Sequence, residues 1–169
     1  MLAKTICTHL NMLIAKYIVW VIVSLVLFFI ELSFLPQLLP WGITIDFVFL
    51  LVFLNCFFRE KNDYFSYFLA TLVGIFLDIY SGQLFFGFWI LFFVLLAWLI
   101  KKMSFLMQGL NIFSFLINFS VAYLSYKFFS LFLAWPNFSW INFMIAFVST
   151  LAMGIISFFI YASLYKKKS

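Results

Sequence analysis

Four ionisable side chains stand within otherwise apolar stretches of this chain: Glu31, Asp46, Asp78 and Lys127. A charge in such a setting is costly, so each is expected to be paired or to serve a function. Three carboxylates with one lysine suit a polar cluster in which Lys127 pairs with at least one acid. The plainer alternative is that each side chain reaches interfacial water by itself. Chemistry beyond pairing needs more. Nucleophilic catalysis requires a convergent nucleophile and base, and a metal centre requires several His, Asp or Glu ligands. The only histidine, His9, precedes the long apolar runs, and neither Gly-x-Ser-x-Gly nor His-Glu-x-x-His occurs. The chain reads as a non-enzyme without cofactor or metal. A proton relay through Glu31 and Asp78 is opposed by the lack of charges near the middle of the apolar runs.

The stretch from Gly74 to Gly87, GIFLDIYSGQLFFG, carries the most local information. Gly74 and Asp78 are four apart and share a helix face, where glycine permits close backbone approach and the acid can meet a partner across the interface. Ser81 and Gly82 are predicted to stop that helix, glycine supplying the left-handed cap. A turn over 81–83 then folds two helices into a tight antiparallel pair. Gly87 is expected to let the second helix pack on the first.

The elements that must position these residues follow from composition. At 68% hydrophobic and 9% charged residues, with a mean hydropathy of +1.23, the 169-residue chain lacks the polar surface of a water-soluble globule. The apolar runs are long and apolar on every face, which selects helices over a transmembrane barrel. The predicted fold is all-α, a single polytopic membrane domain of six spans at about 17–35, 43–58, 64–80, 84–100, 105–126 and 141–165, preceded by an interfacial segment over 1–16. The first run is too long for a signal-peptide core and is read as a retained span. The 28 phenylalanines are read as codon usage, since Phe serves nearly as well as Leu against lipid.

Charge placement orients the bundle. Lys4, Lys16, Arg59, Lys61, Lys101, Lys102 and Lys166 to Lys168 all fall on one side of a six-span arrangement, which the positive-inside rule makes the cytoplasm, together with both termini. Lys127 alone dissents. Trp41, Trp135 and Trp140 would mark the outer interface, Trp20 and Trp98 the inner one. The basic clusters are topology determinants and form no nucleic-acid surface, and Cys7 and Cys56 match no metal spacing. All four ionisable residues then belong at the outer end.

The run from Asp46 to Trp98 resembles the bacterial rod shape-determining protein MreD family, small six-span inner-membrane proteins. Its hairpin pattern, Gly-x-x-x-Asp-x-x-Ser-Gly-x-x-x-x-Gly, is matched by Gly74, Asp78, Ser81, Gly82 and Gly87, and Asp46 stands where the family has an earlier acid. Ile45 replaces the proline that usually precedes that acid, and Ala70 stands where a glycine often begins the hairpin helix. The resemblance implies a non-enzymatic inner-membrane component of the complex that organises lateral peptidoglycan synthesis and cell shape. Its implied partners are MreC, MreB, RodA and a penicillin-binding transpeptidase. A competing reading is the substrate-binding membrane subunit of an energy-coupling-factor vitamin transporter, also a compact bundle of about six helices. Against it, the first span lacks the spaced alanines that dock an energising partner, Ala15 being the only one nearby.

Overall fold

The computed structural model describes residues 2–34, 45–58, 63–81, 87–107, 111–134 and 139–166. All regular structure among them is helical: α1 (Leu2–Phe29), continued by a π-helical turn at Ile30–Phe34, then α2 (Phe47–Phe58), α3 (Phe65–Ser81), α4 (Phe88–Leu106), α5 (Ile112–Ala134) and α6 (Trp140–Lys166). Three of these helices are long and apolar enough to cross a membrane, over Phe88–Leu106, Ile112–Ser130 and Trp140–Ile160.

The helix bounds correct the sequence reading in four places. The first helix runs unbroken from Leu2, so residues 2–16 are its beginning and not a separate segment; neither Gly nor Pro occurs there to end it. The fourth helix begins at Phe88 and not near residue 84, and it continues to Leu106. Lys101 and Lys102 therefore lie in its last turns and not in a connection. The fifth runs from Ile112 to Ala134, which places Lys127 inside a helix and not at its end. In each of these last cases a charge does not mark the helix boundary. A lysine can stay helical while its long stem carries the ammonium to a polar partner.

The shortest helix is the hub. α2 packs against all five others, and nine of its twelve residues are buried. One face of α2 carries Phe49, Phe53 and Phe57, and one face of α5 carries Phe115, Phe119 and Tyr123, both sets spaced by four residues. Rings within each helix stack nearly parallel, while rings across the interface meet edge to face, Phe49 on Tyr123 at 5.2 Å, Phe53 on Phe119 at 5.2 Å and Phe57 on Phe115 at 5.3 Å. Pairing the first ring of one helix with the last of the other makes the two helices antiparallel. Edge-to-face contact is the favoured aromatic geometry, worth about 0.5–1.5 kcal/mol per pair beyond burial. These phenylalanines hold the core together and do not face lipid. Spacing by four was the sign that they belong to an interface.

α3 and α4 form the closest pair. A Cβ on Gly74 would lie 2.4 Å from the Cα of Ile90 and 2.7 Å from its nitrogen, so the two backbones touch there and only glycine fits. At the far end of the pair, buried Lys101 donates to the Asp63 carbonyl at 2.6 Å and lies 5.1 Å from the Tyr67 ring. Asp63 in turn accepts from the Phe65 N–H at 2.9 Å and so caps the start of α3. Around α2 the other helices pack in the order α1, α3, α4, α5, α6. Among the described residues, α1 and α6 do not pack along each other.

Candidate functional site

Asp46 immediately precedes α2, and three side chains from two other helices converge on it. The Lys127 ammonium on α5 lies 2.9 and 3.0 Å from its two carboxylate oxygens. The Tyr123 hydroxyl, one turn earlier on α5, donates to Asp46 Oδ2 at 2.5 Å. From α6, Thr150 Oγ1 accepts the Asp46 backbone N–H at 3.2 Å. Lys127 also stands over the Tyr123 and Tyr126 rings at 5.5 and 5.3 Å. The ion pair is thus hydrogen-bonded, flanked by aromatic faces and largely removed from solvent, the setting in which a membrane ion pair is tolerated.

Glu31 joins this group from α1. It sits in the π-helical turn, and its Oε2 accepts the Val48 N–H at 2.8 Å, capping the first turn of α2 from another helix. A carboxylate there satisfies a free backbone donor and meets the positive end of the helix dipole. A π turn inserts an extra residue into a helix and is common where a side chain must be re-aimed for a specific contact.

Asp78 does a different job. Its two oxygens accept the backbone N–H groups of Gly87 (3.0 Å), Trp89 (3.0 Å) and Ile90 (3.4 Å), so it caps α4 from within α3. Gly87 occupies the N-cap with φ +106°, and a Cβ there would meet nothing within 4 Å. Its glycine is required by backbone conformation and not by packing, which revises the expectation that Gly87 lets two helices approach. In the hairpin that role belongs to Gly74 among the described glycines. Ser81 is the last residue of α3, and Gly82 lies outside the described residues.

Of the four ionisable residues, then, three meet and one does not. Trp89, whose N–H bonds to Asp78, has its ring 6.3 Å from Tyr126, the neighbour of Lys127. Asp78 and the Asp46 cluster therefore share one end of the bundle with an aromatic layer between them. Tyr123 and Thr150 were missed in the sequence. Phe115, Phe119, Tyr123 and Lys127 follow one another at intervals of four, so the aromatic face of α5 runs directly into the lysine. That progression was a legible signal for Tyr123. Thr150 had none, because a threonine in an apolar helix ordinarily bonds its own backbone.

The arrangement can bind and cap. No group of three or more His, Cys, Asp or Glu positioned to hold a metal occurs among the described residues. Compared with protein-family models, with curated proteins and with solved structures, the chain matches none.

Proposed function

We propose that this chain is a six-span membrane protein with cytoplasmic termini that acts by binding, as the MreD-like component of a bacterial elongation complex, helping MreC and the wall synthases to organise lateral peptidoglycan synthesis. The observation that carries the reading is the Asp78 cap. The acid of the hairpin pattern accepts three N–H groups at the start of the next helix, Gly87 supplies the N-cap conformation, and Gly74 brings the two backbones into contact. A spacing this restrictive is explained when each described member has its own physical task. The tasks are structural, which favours a rigid hairpin presented to partners over a catalytic centre.

Six spans are supported by three further apolar helices, Tyr17–Phe29, Phe47–Phe58 and Phe65–Tyr80, beside the three long ones. At 1.5 Å per residue the twelve residues of α2 reach about 18 Å, well short of the roughly 30 Å of hydrocarbon. α2 need not meet lipid on most of its surface because the other helices cover nine of its twelve residues. Its polar start is covered by Glu31, Lys127, Tyr123 and Thr150.

Depletion in the native host, with cell shape followed by microscopy and MreC measured in co-purification from mild detergent, tests this. Rounding of rods together with recovery of MreC is the expected result. Cells that keep their shape and a preparation free of MreC would end the family reading. Saturable thermal stabilisation of the purified protein by a vitamin would favour an uptake subunit.

A further inference from the structure

The ring of helices around α2 is open. α1 and α3, α3 and α4, α4 and α5, and α5 and α6 pack in sequence, but no packing of that extent joins α6 to α1 among the described residues. α2 has three residues that are not fully buried, Phe47, Leu51 and Leu54. Their spacing of four and three puts them on one face. The contacts of α2 place that face at the opening. Phe49, Phe53 and Phe57 meet α5, Leu50 lies against Gly154 of α6, Phe58 meets Phe158 of α6, and the Asn55 carbonyl accepts from Ser66 of α3. What is left lies between α6 and α1. An apolar stripe about two turns long thus forms the floor of a lateral cleft.

Charge at the head of this cleft selects its occupant. The three helices bordering it each contribute to the polar cluster: Glu31 from α1, Asp46 at the start of α2 and Thr150 from α6. Two carboxylates meet one ammonium there, that of Lys127. Among the described residues no further cation stands there. The connections at that end, residues 35–44, 82–86 and 135–138, contain no Lys or Arg. Lys4 and Lys16 lie toward the start of α1, and Lys101 and Lys102 lie late in α4, at the other end of the bundle. Among the described residues, a second, parallel copy of this chain would bring no cation to that depth other than Lys127, already held by Asp46.

We propose that the cleft between α1 and α6 receives a single transmembrane helix of another protein, carrying a lysine or arginine at the depth of Glu31. The stripe supplies apolar packing, which drives helix association in a bilayer once surfaces fit closely, and the surplus carboxylate supplies register. The inference rests on the reading of this chain as a membrane binding component but not on the family resemblance.

The test places a photoreactive benzoylphenylalanine at Leu51 or Leu54, with the exposed Leu95 of α4 as control, in full-length protein in native-host membranes. Expected are adducts from both cleft positions, and none from Leu95, with one protein whose sequence contains one apolar span bearing a Lys or Arg. Adduct yield should fall about tenfold in Glu31→Gln, the loss of one charge-assisted contact, and recover in Glu31→Asp. Should Glu31→Gln fail to fold, replacing the partner's basic residue with leucine must give the same loss. Adducts with lipid alone, with a second copy of this chain or with a helix lacking a basic residue overturn the proposal, as does a yield unchanged by Glu31→Gln. Capture of a single-span protein other than MreC would support the cleft while removing the family reading.

Discussion

The hairpin of α3 and α4 and the cluster around Asp46 solve one problem in two ways. Each has a carboxylate in an apolar bundle. Asp78 is satisfied by backbone N–H groups 9 to 12 residues along the chain. The Asp46 carboxylate is satisfied by side chains 77 and 81 residues away, and its backbone N–H by a threonine 104 residues away. The first solution is local and uses donors that the start of any helix must expose. The second exists only when α2, α5 and α6 have assembled, and it depends on a buried counter-charge. A local cap tolerates loss of distant parts of the fold, whereas a long-range ion pair makes those parts necessary to one another.

The strongest way to break the comparison is at the counter-charge. Lys127→Met leaves Asp46 buried without its cation and is expected to cost about 3–5 kcal/mol in reversible unfolding in mixed micelles. Adding Asp46→Asn to that variant should recover more than half of the loss, because the uncompensated charge and not the lost attraction is the main penalty. Recovery of less than that would mean the pair contributes chiefly by attraction.

On the hairpin, the largest effect is expected where the backbones meet. Gly74→Ala places a methyl 2.4 Å from the Cα of Ile90, and no flexible side chain is there to give way. The helices must separate, at about 2–3 kcal/mol by the same measurement. An unchanged melting temperature would show that the hairpin is looser than its geometry.

Asp78→Asn sharpens the contrast between the two acids. The amide keeps one acceptor oxygen but points a donor at the N–H groups of α4, leaving one of them unsatisfied at about 1–2 kcal/mol. The loss should be confined to the hairpin, with amide exchange rising at Gly87, Trp89 and Ile90 and unchanged at Asp46. Smallest is Tyr123→Phe, which removes one hydroxyl from a carboxylate still held by Lys127. Interhelical hydrogen bonds in membranes are typically worth about 1 kcal/mol or less, and a drop of that order is expected. A loss as large as that of Lys127→Met would make Tyr123 an equal partner in holding Asp46.

Much of the hairpin was legible because its parts are close in sequence. Gly74 and Asp78 fall on one helix face, and the break in apolar character after Tyr80 marks the end of α3. The role of Gly87 was misassigned because small size and positive φ both call for glycine, and spacing cannot separate them. The ends of α4 and α5 lie beyond the lysines that the sequence reading takes as boundaries, because Lys101 and Lys127 continue their helices and reach polar partners.

Composition and hydropathy by themselves determined an all-helical chain with apolar helices of membrane-spanning length, because burying backbone polar groups away from water admits few other solutions. They also determined that the acids inside those helices would need partners, since the cost of an unpaired charge does not depend on fold. Which acid met which partner was decided by tertiary structure alone. The order in which α1, α3, α4, α5 and α6 surround α2 brings Lys127 to Asp46 and leaves Asp78 to the backbone of α4. The same order turns Phe49, Phe53 and Phe57 toward α5 and leaves Phe47, Leu51 and Leu54 toward the opening. Side chains on one helix are related by a fixed rotation that sequence reveals. The rotation of one helix against another is set by how their surfaces interlock, and no single segment of the chain contains that information.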